Sequence, residues 1–145
     1  MRQVMKLEID SIPSNESFAR VVVAAFLTRL NPTMEEVADI KTAVSEAVTN
    51  AIIHGYQNEV HKIEIEAWVE KELFTVSVKD FGVGIEDVKK AMEPMYTTRR
   101  DLERSGMGFV FMEAFMDTVQ VESKPGEGTK VKMTKKIGRR YERQD

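Results

Sequence analysis

Between Thr33 and Tyr56 the apolar residues recur at helical spacing, and this run constrains the chain more than any other feature. Met34, Val37, Ile40, Val44, Ala47, Val48, Ala51 and Ile52 form one stripe, the mark of a long helix with a buried face. Thr33 and Glu36 make a capping box, and Pro32 breaks the chain just before it. A helix of this kind needs a sheet or other helices to cover its stripe.

Within the run, Asn50 and Thr49 are poor helix formers. A local rule broken inside a strongly periodic segment marks a place to look for function. Glu46 and Asn50 stand four apart and project from one face, one turn above the other. An amide oxygen and a carboxylate so placed suit a hard cation and a proton acceptor, or are simply solvated on the polar face. His54 continues that face one turn later, where a structural hydrogen-bonding role is the ordinary one.

Two glycine-bearing segments follow. Leu73 to Lys79 alternates as a half-buried strand and ends at Asp80, with Gly82 and Gly84 bracketing the turn. A carboxylate fixed at a strand end accepts a hydrogen bond from an exocyclic amine, and bare glycines let a flat ring approach the main chain. An ordinary Asp-Gly turn has the same sequence. Ser105-Gly106-Met107-Gly108 opens an apolar helical run through Phe109, Val110, Met112, Phe115 and Met116. Backbone N–H groups at such a start suit an anion. Neither a Walker A loop nor a dinucleotide G-x-G-x-x-G is present. The polar stretch before it, EPMYTTRRDLER, has the composition of a lid or of a solvated loop. Thr97, Thr98, Arg99, Arg100 and Arg104 are its phosphate-compatible groups.

The remaining elements follow from pattern. A first strand spans Val4 to Ile9. A helix then runs from Ser14 as cap to Leu30, buried through Phe18, Val21, Val22, Ala25 and Phe26. Strands are expected at Lys62 to Val69, Leu73 to Lys79, Thr118 to Ser123 and Thr129 to Lys136, and a short helix after Gly84. The order implies one α+β domain over residues 1–145, a two-layer sandwich with helices on one face of a mixed, mostly antiparallel sheet.

Composition narrows the classes. A chain of 145 residues is large enough for a real core, and with no Cys it has neither a disulfide framework nor a zinc–cysteine site. The segment MRQVMKLEIDSIPSN lacks a signal-peptide core, and no apolar run approaches the ~20 residues of a membrane span, so a cytoplasmic location is expected. The net charge of -3 argues against wholesale nucleic-acid binding. From Thr129 onward seven Lys or Arg face two acids, a net of +5, as in a solvated last strand or a basic patch.

The order E-x-x-x-N, D-x-G-x-G, G-x-G resembles the N, G1 and G2 boxes of the GHKL ATPase and kinase superfamily, which includes histidine kinases and DNA gyrase B. EAVTNAIIHGY, the paired threonines of YTTRRDLERSGMGF and the small size are closest to the anti-sigma factor serine kinases of spore-forming bacteria. The resemblance covers nearly the whole chain. It implies the GHKL (Bergerat) ATP-binding fold, binding of ATP or ADP with Mg2+, and transfer of phosphate to a protein serine. It makes Glu46 the general base, Asn50 the magnesium ligand and Asp80 the acceptor for the adenine amine. Gly82, Gly84 and Ile85 would admit the base. Thr97, Thr98, Ser105, Gly106, Met107 and Gly108 would form the lid and phosphate loop, Arg104 would contact phosphate, and Thr129 would support the adenine pocket with His54 on the same wall. Arg99-Arg100-Asp101 departs from the Lys-Pro-Glu of that family. The implied partners are a sporulation sigma factor of RNA polymerase, an anti-anti-sigma protein phosphorylated on serine, and a second copy of the chain. Arg20, on an otherwise apolar and small-residue helix, is a candidate partner contact or an ordinary snorkelling charge. The absence of a phosphoacceptor-His segment before the site favours a serine kinase. A nucleotide-dependent binding switch or ATPase, in which Glu46 activates water, uses the same residues.

Overall fold

The computed structural model describes residues 1–93 and 108–138. Five strands, β1 (Gln3–Asp10), β2 (Lys62–Glu70), β3 (Leu73–Asp80), β4 (Thr118–Lys124) and β5 (Gly128–Lys136), form one sheet in the order β1-β2-β3-β5-β4. All four described pairings are antiparallel, which narrows the mixed sheet expected from pattern. The helices are α1 (Ser14–Leu27), α2 (Met34–Asn50), α3 (Val88–Ala91) and α4 (Gly108–Phe115).

One core joins sheet and helices. Ile63, Ile65, Phe74, Val76, Val78 and Met133 pack with Val23 and Leu27 of α1, Ile40, Val44 and Val48 of α2, and Met112 of α4. Fully burying such a side chain stabilises by roughly 1.5–3 kcal/mol. The capping box forms as expected: the Thr33 hydroxyl accepts from Glu36 N at 3.0 Å, and Glu36 Oε1 accepts from Thr33 N at 2.8 Å. Glu36 also accepts from Gly138 N at 3.1 Å, which ties the start of α2 to the chain just after β5.

Several expectations are corrected. Ser14 is the first helical residue of α1, not its cap; Pro13 holds that position without a side-chain bond. The tight reversal after β1 satisfies the amides instead, with Asn15 N donating to Ile12 O and Glu16 N to Pro13 O. The buried face of α1 is Ala19, Val23, Phe26 and Leu27, while Phe18 and Val21 are 51% and 58% exposed and Ala25 is exposed. The helix is apolar nearly all round, so periodicity fitted two faces. Small Ala19, fully buried like Ala43 of α2, belongs to the face that is covered. Met34, in the first turn of α2, is exposed.

Strand β3 is buried on both faces rather than one: Thr75 and Ser77 are nearly as covered as Val76. Lys132 of β5, opposite Ser77, lies with its Nζ 5.8 Å from the Trp68 ring of β2, which stands opposite Thr75. The run expected as one helix to Tyr56 changes pitch. The α-helix ends at Asn50, and Ala51–Gly55 form a π-turn closed by Tyr56 N donating to Ala51 O. Wide turns of this kind cluster at functional sites.

Candidate functional site

Asp80 ends β3 on the face turned toward the helices, 4% exposed. Burial raises its carboxyl above the ordinary carboxylate range, against the pull of the Gly82 and Thr129 N–H groups. The Gly82 bond, to Asp80 Oδ1, is 2.9 Å long.

The wall beside Asp80 is main chain because glycines allow it. A Cβ on Gly82 would stand 1.9 Å from Gly55 O, and one on Gly55 would stand 2.7 Å from the Asp80 carboxylate. The π-turn and the loop after β3 therefore cross in backbone contact, and Val83 N donates to Gly55 O at 2.9 Å. Gly84 has φ +77, which other residues rarely adopt, and a Cβ there would meet Lys124 O at 2.1 Å.

These segments enclose a cavity of about 570 Å³, a size suited to a small organic ligand. Asn50, His54, Asp80, Gly84, Ile85, Gly108 and Thr129, all expected from sequence, line it together. Gly82 shapes the wall from behind. Glu46 lies one helical turn before Asn50, half-buried, outside the cavity's lining. Arg20 is on α1, away from this cavity, where its guanidinium meets Glu16 at 3.7 Å and Ser17 at 3.3 Å. Thr97, Thr98, Arg99, Arg100, Arg104, Ser105, Gly106 and Met107 lie outside the described residues. Among the described residues no three His, Cys, Asp or Glu cluster as a metal cage.

Three contributors escape sequence reasoning. Gly55 is visible only as the glycine after His54. The Tyr56 hydroxyl accepts from Phe81 N at 2.7 Å and donates to Lys62 O, pinning the end of β3 to the start of β2. Ser123 of β4 accepts from Ile85 N at 2.7 Å and meets Thr129 Oγ1 at 2.8 Å. Tyr56 and Phe81 are 25 residues apart and Ser123 and Ile85 are 38 apart, so local pattern carries no trace of either contact.

With this geometry in view, the likenesses to known proteins are informative. Residues 11–135 match the histidine kinase-like ATPase domain family. The anti-sigma F factor of Thermoanaerobacter sp. (strain X514) is 58% identical over 135 residues, covering 93% of this chain and 94% of that one. That of Clostridium acetobutylicum is 58% identical over 133 residues, covering 92% and 93%. That of Oceanobacillus iheyensis is 52% identical over 140 residues, covering 96% of each. In fold, the chain is similar to a crystal structure of the RsbU and RsbW domains of a Mycobacterium tuberculosis protein. The TM-score is 0.66 at 21% identity, covering 93% of this chain and 32% of that longer one. The chain belongs to the histidine kinase-like ATPase domain family and, within it, to the anti-sigma F factors.

Proposed function

We propose that this chain is an ATP-dependent serine-protein kinase that also binds and inhibits a sigma factor of RNA polymerase, and that it phosphorylates an anti-anti-sigma protein on serine. The observation that carries the reading is Asp80, a buried carboxylate set in a glycine wall of a cavity that also holds Asn50 and Gly108. A carboxylate there accepts from the exocyclic amine of adenine, while the bare backbone of Gly82 and Gly84 leaves room for the flat base.

The other residues divide the remaining work. Asn50 offers an amide oxygen on the cavity wall, and a magnesium ion, which takes one or two protein oxygens plus phosphates, fits that sparse donor set. When bound, magnesium offsets the charge of the phosphate oxygens. Gly108 places the N-terminus of α4 on the cavity, where a helix dipole favours an anion. Glu46, one turn before Asn50, takes the proton of the attacking serine hydroxyl. Phosphoryl transfer asks little covalent chemistry of a protein, so positioning and charge carry most of the rate. By the family resemblance, Thr97, Thr98, Arg104, Ser105, Gly106 and Met107 are assigned to phosphate binding, and the chain's action to the cytoplasm; no described helix is long and apolar enough to cross a membrane. Phe18 and Val21 are exposed on α1, which suits that helix to a protein partner, with Arg20 a candidate contact. Strand β1 is an edge of the sheet, open to pairing with a second copy.

The test is transfer from γ-labelled Mg-ATP to a purified anti-anti-sigma protein. Acid-stable label on a partner serine is expected, and Glu46→Ala should keep nucleotide binding and lose transfer. Release of free phosphate alone would favour an ATPase switch. Acid-labile label on this chain would sink the serine-kinase reading.

A further inference from the structure

The hydroxyl of Ser123 makes three contacts at the adenine end of the proposed site. It accepts from Ile85 N at 2.7 Å, lies 3.0 Å from Gly128 O, and lies 2.8 Å from Thr129 Oγ1. A serine hydroxyl has one proton and two lone pairs. The Ile85 N–H fills one lone pair. Gly128 O is only an acceptor, so its contact takes the one proton. The remaining contact then needs the Thr129 hydroxyl to donate into the second lone pair. No other arrangement of protons satisfies all three contacts.

This fixes what Thr129 presents to the cavity. Thr129 lines it and stands opposite Asp80 in the register of β3 and β5. With its proton committed to Ser123, the Thr129 oxygen offers lone pairs alone. The neighbouring Asp80 carboxylate is likewise an acceptor, already receiving Gly82 N. That end of the cavity therefore welcomes a ligand amine and opposes a ligand carbonyl.

We infer that Ser123 is a specificity-determining positioning residue: by holding the Thr129 hydroxyl turned away, it makes the Asp80 end of the site select a base with an exocyclic amine over one with a carbonyl at the same place. The inference rests on the nucleotide reading above. Ser123 is not itself among the residues lining the cavity, so it acts through Thr129 and through Ile85 N.

The test compares ATP with inosine triphosphate, which carries a carbonyl in place of the amine, each titrated with magnesium into the full chain by calorimetry. The wild type should prefer ATP. In Ser123→Ala the Thr129 proton is released to donate, and the ATP-over-inosine-triphosphate preference should shrink about tenfold, the worth of one hydrogen bond. Ser123→Thr, which keeps the hydroxyl, should restore it. Removing Ser123 in a Thr129→Val background should leave the ratio where Thr129→Val alone puts it. Equal weakening of both nucleotides in Ser123→Ala, with the ratio unchanged, would overturn the inference and leave the nucleotide site standing. If the wild type binds neither nucleotide, the site reading fails and the inference with it.

Discussion

Gly55→Ala tests the wall of the site with a single methyl group. The added Cβ would lie 2.7 Å from Asp80 Cγ and Oδ2 and 2.8 Å from Oδ1. That is about 0.8 Å inside the ~3.5 Å at which carbon atoms meet favourably. The carboxylate must move, and that disturbs the bond it accepts from Gly82 N–H at 2.9 Å. The cost to the fold is modest, because overpacking of roughly 1–3 kcal/mol is offset by ~0.5–1 kcal/mol when alanine replaces glycine in a helical segment. The cost to the ligand is larger, because a hydrogen bond to a charged group is worth about 1.5–3 kcal/mol, or roughly 10- to 150-fold in affinity. Calorimetric titration with Mg-ATP, alongside melting of the nucleotide-free chain, separates the two effects. The expected result is an affinity loss in that range from a chain that still melts cooperatively. Affinity within about twofold of wild type would refute the reasoning, because it would mean that Asp80 can shift without consequence.

Two further outcomes follow from the same structure. Asp80→Asn should lose at least roughly tenfold in ATP affinity, since an amide presents a donor as well as an acceptor to the ligand amine. Its pH dependence has a definite sign: burial raises the Asp80 carboxyl in the folded state, so the folded chain binds that proton more readily than the unfolded one. Wild-type stability relative to Asp80→Asn should therefore rise as pH falls from above the raised pKa toward the ordinary carboxylate value, and chemical denaturation across that window reads it; a gap constant with pH would contradict the assignment. Lys135→Met should lower the melting temperature by roughly 5–10 °C, the consequence of losing one charge-assisted bond of about 1.5–3 kcal/mol. Lys135 Nζ donates to Phe115 O at 2.6 Å at the end of α4 and lies 3.7 Å from Asp39, so an unchanged melting temperature would show that this tie is idle.

The sequence carried the elements and the chemistry of the site further than it carried the packing. The capping box at Thr33 and the two hairpins were legible because they are local: a hydroxyl three residues from a carboxylate, a turn between alternating runs. Asn50 was legible because it is a poor helix former inside a periodic helix, whereas Asp80, Gly84 and Gly108 were legible through their combination and order, and Thr129 through the resemblance to the GHKL superfamily. The face of α1 was not legible, because Phe18 and Val21 are as apolar as Val23 and Phe26, and only the positions of α2 and the sheet decide between them. The burial of Thr75 and Ser77 was hidden for a related reason. Their neighbours across the sheet are Trp68, opposite Thr75, and Lys132, opposite Ser77 and 5.8 Å from the Trp68 ring, and neither pairing can be read from local pattern.

Asp80 gives a physical reason to regard this cavity as functional apart from any likeness. Its neighbours on the same face of β3 are Phe74, Val76 and Val78, all buried. An apolar side chain at position 80 would continue that face and add to the core. A buried carboxylate instead costs stability unless it is paired or hydrogen-bonded. Its described partners are the N–H groups of Gly82 and Thr129, with no ion pair to a cation among the described residues. Gly55 and Gly82 add to the cost, since each gives up a side chain so that the main chain can close around that carboxylate. A fold selected for stability alone would place an apolar residue at 80 and would not need the close crossing of Gly55 and Gly82, where an added Cβ would collide. Under the proposed function a ligand amine completes the hydrogen bonding of Asp80, and that gives the buried carboxylate and the two glycines a common purpose.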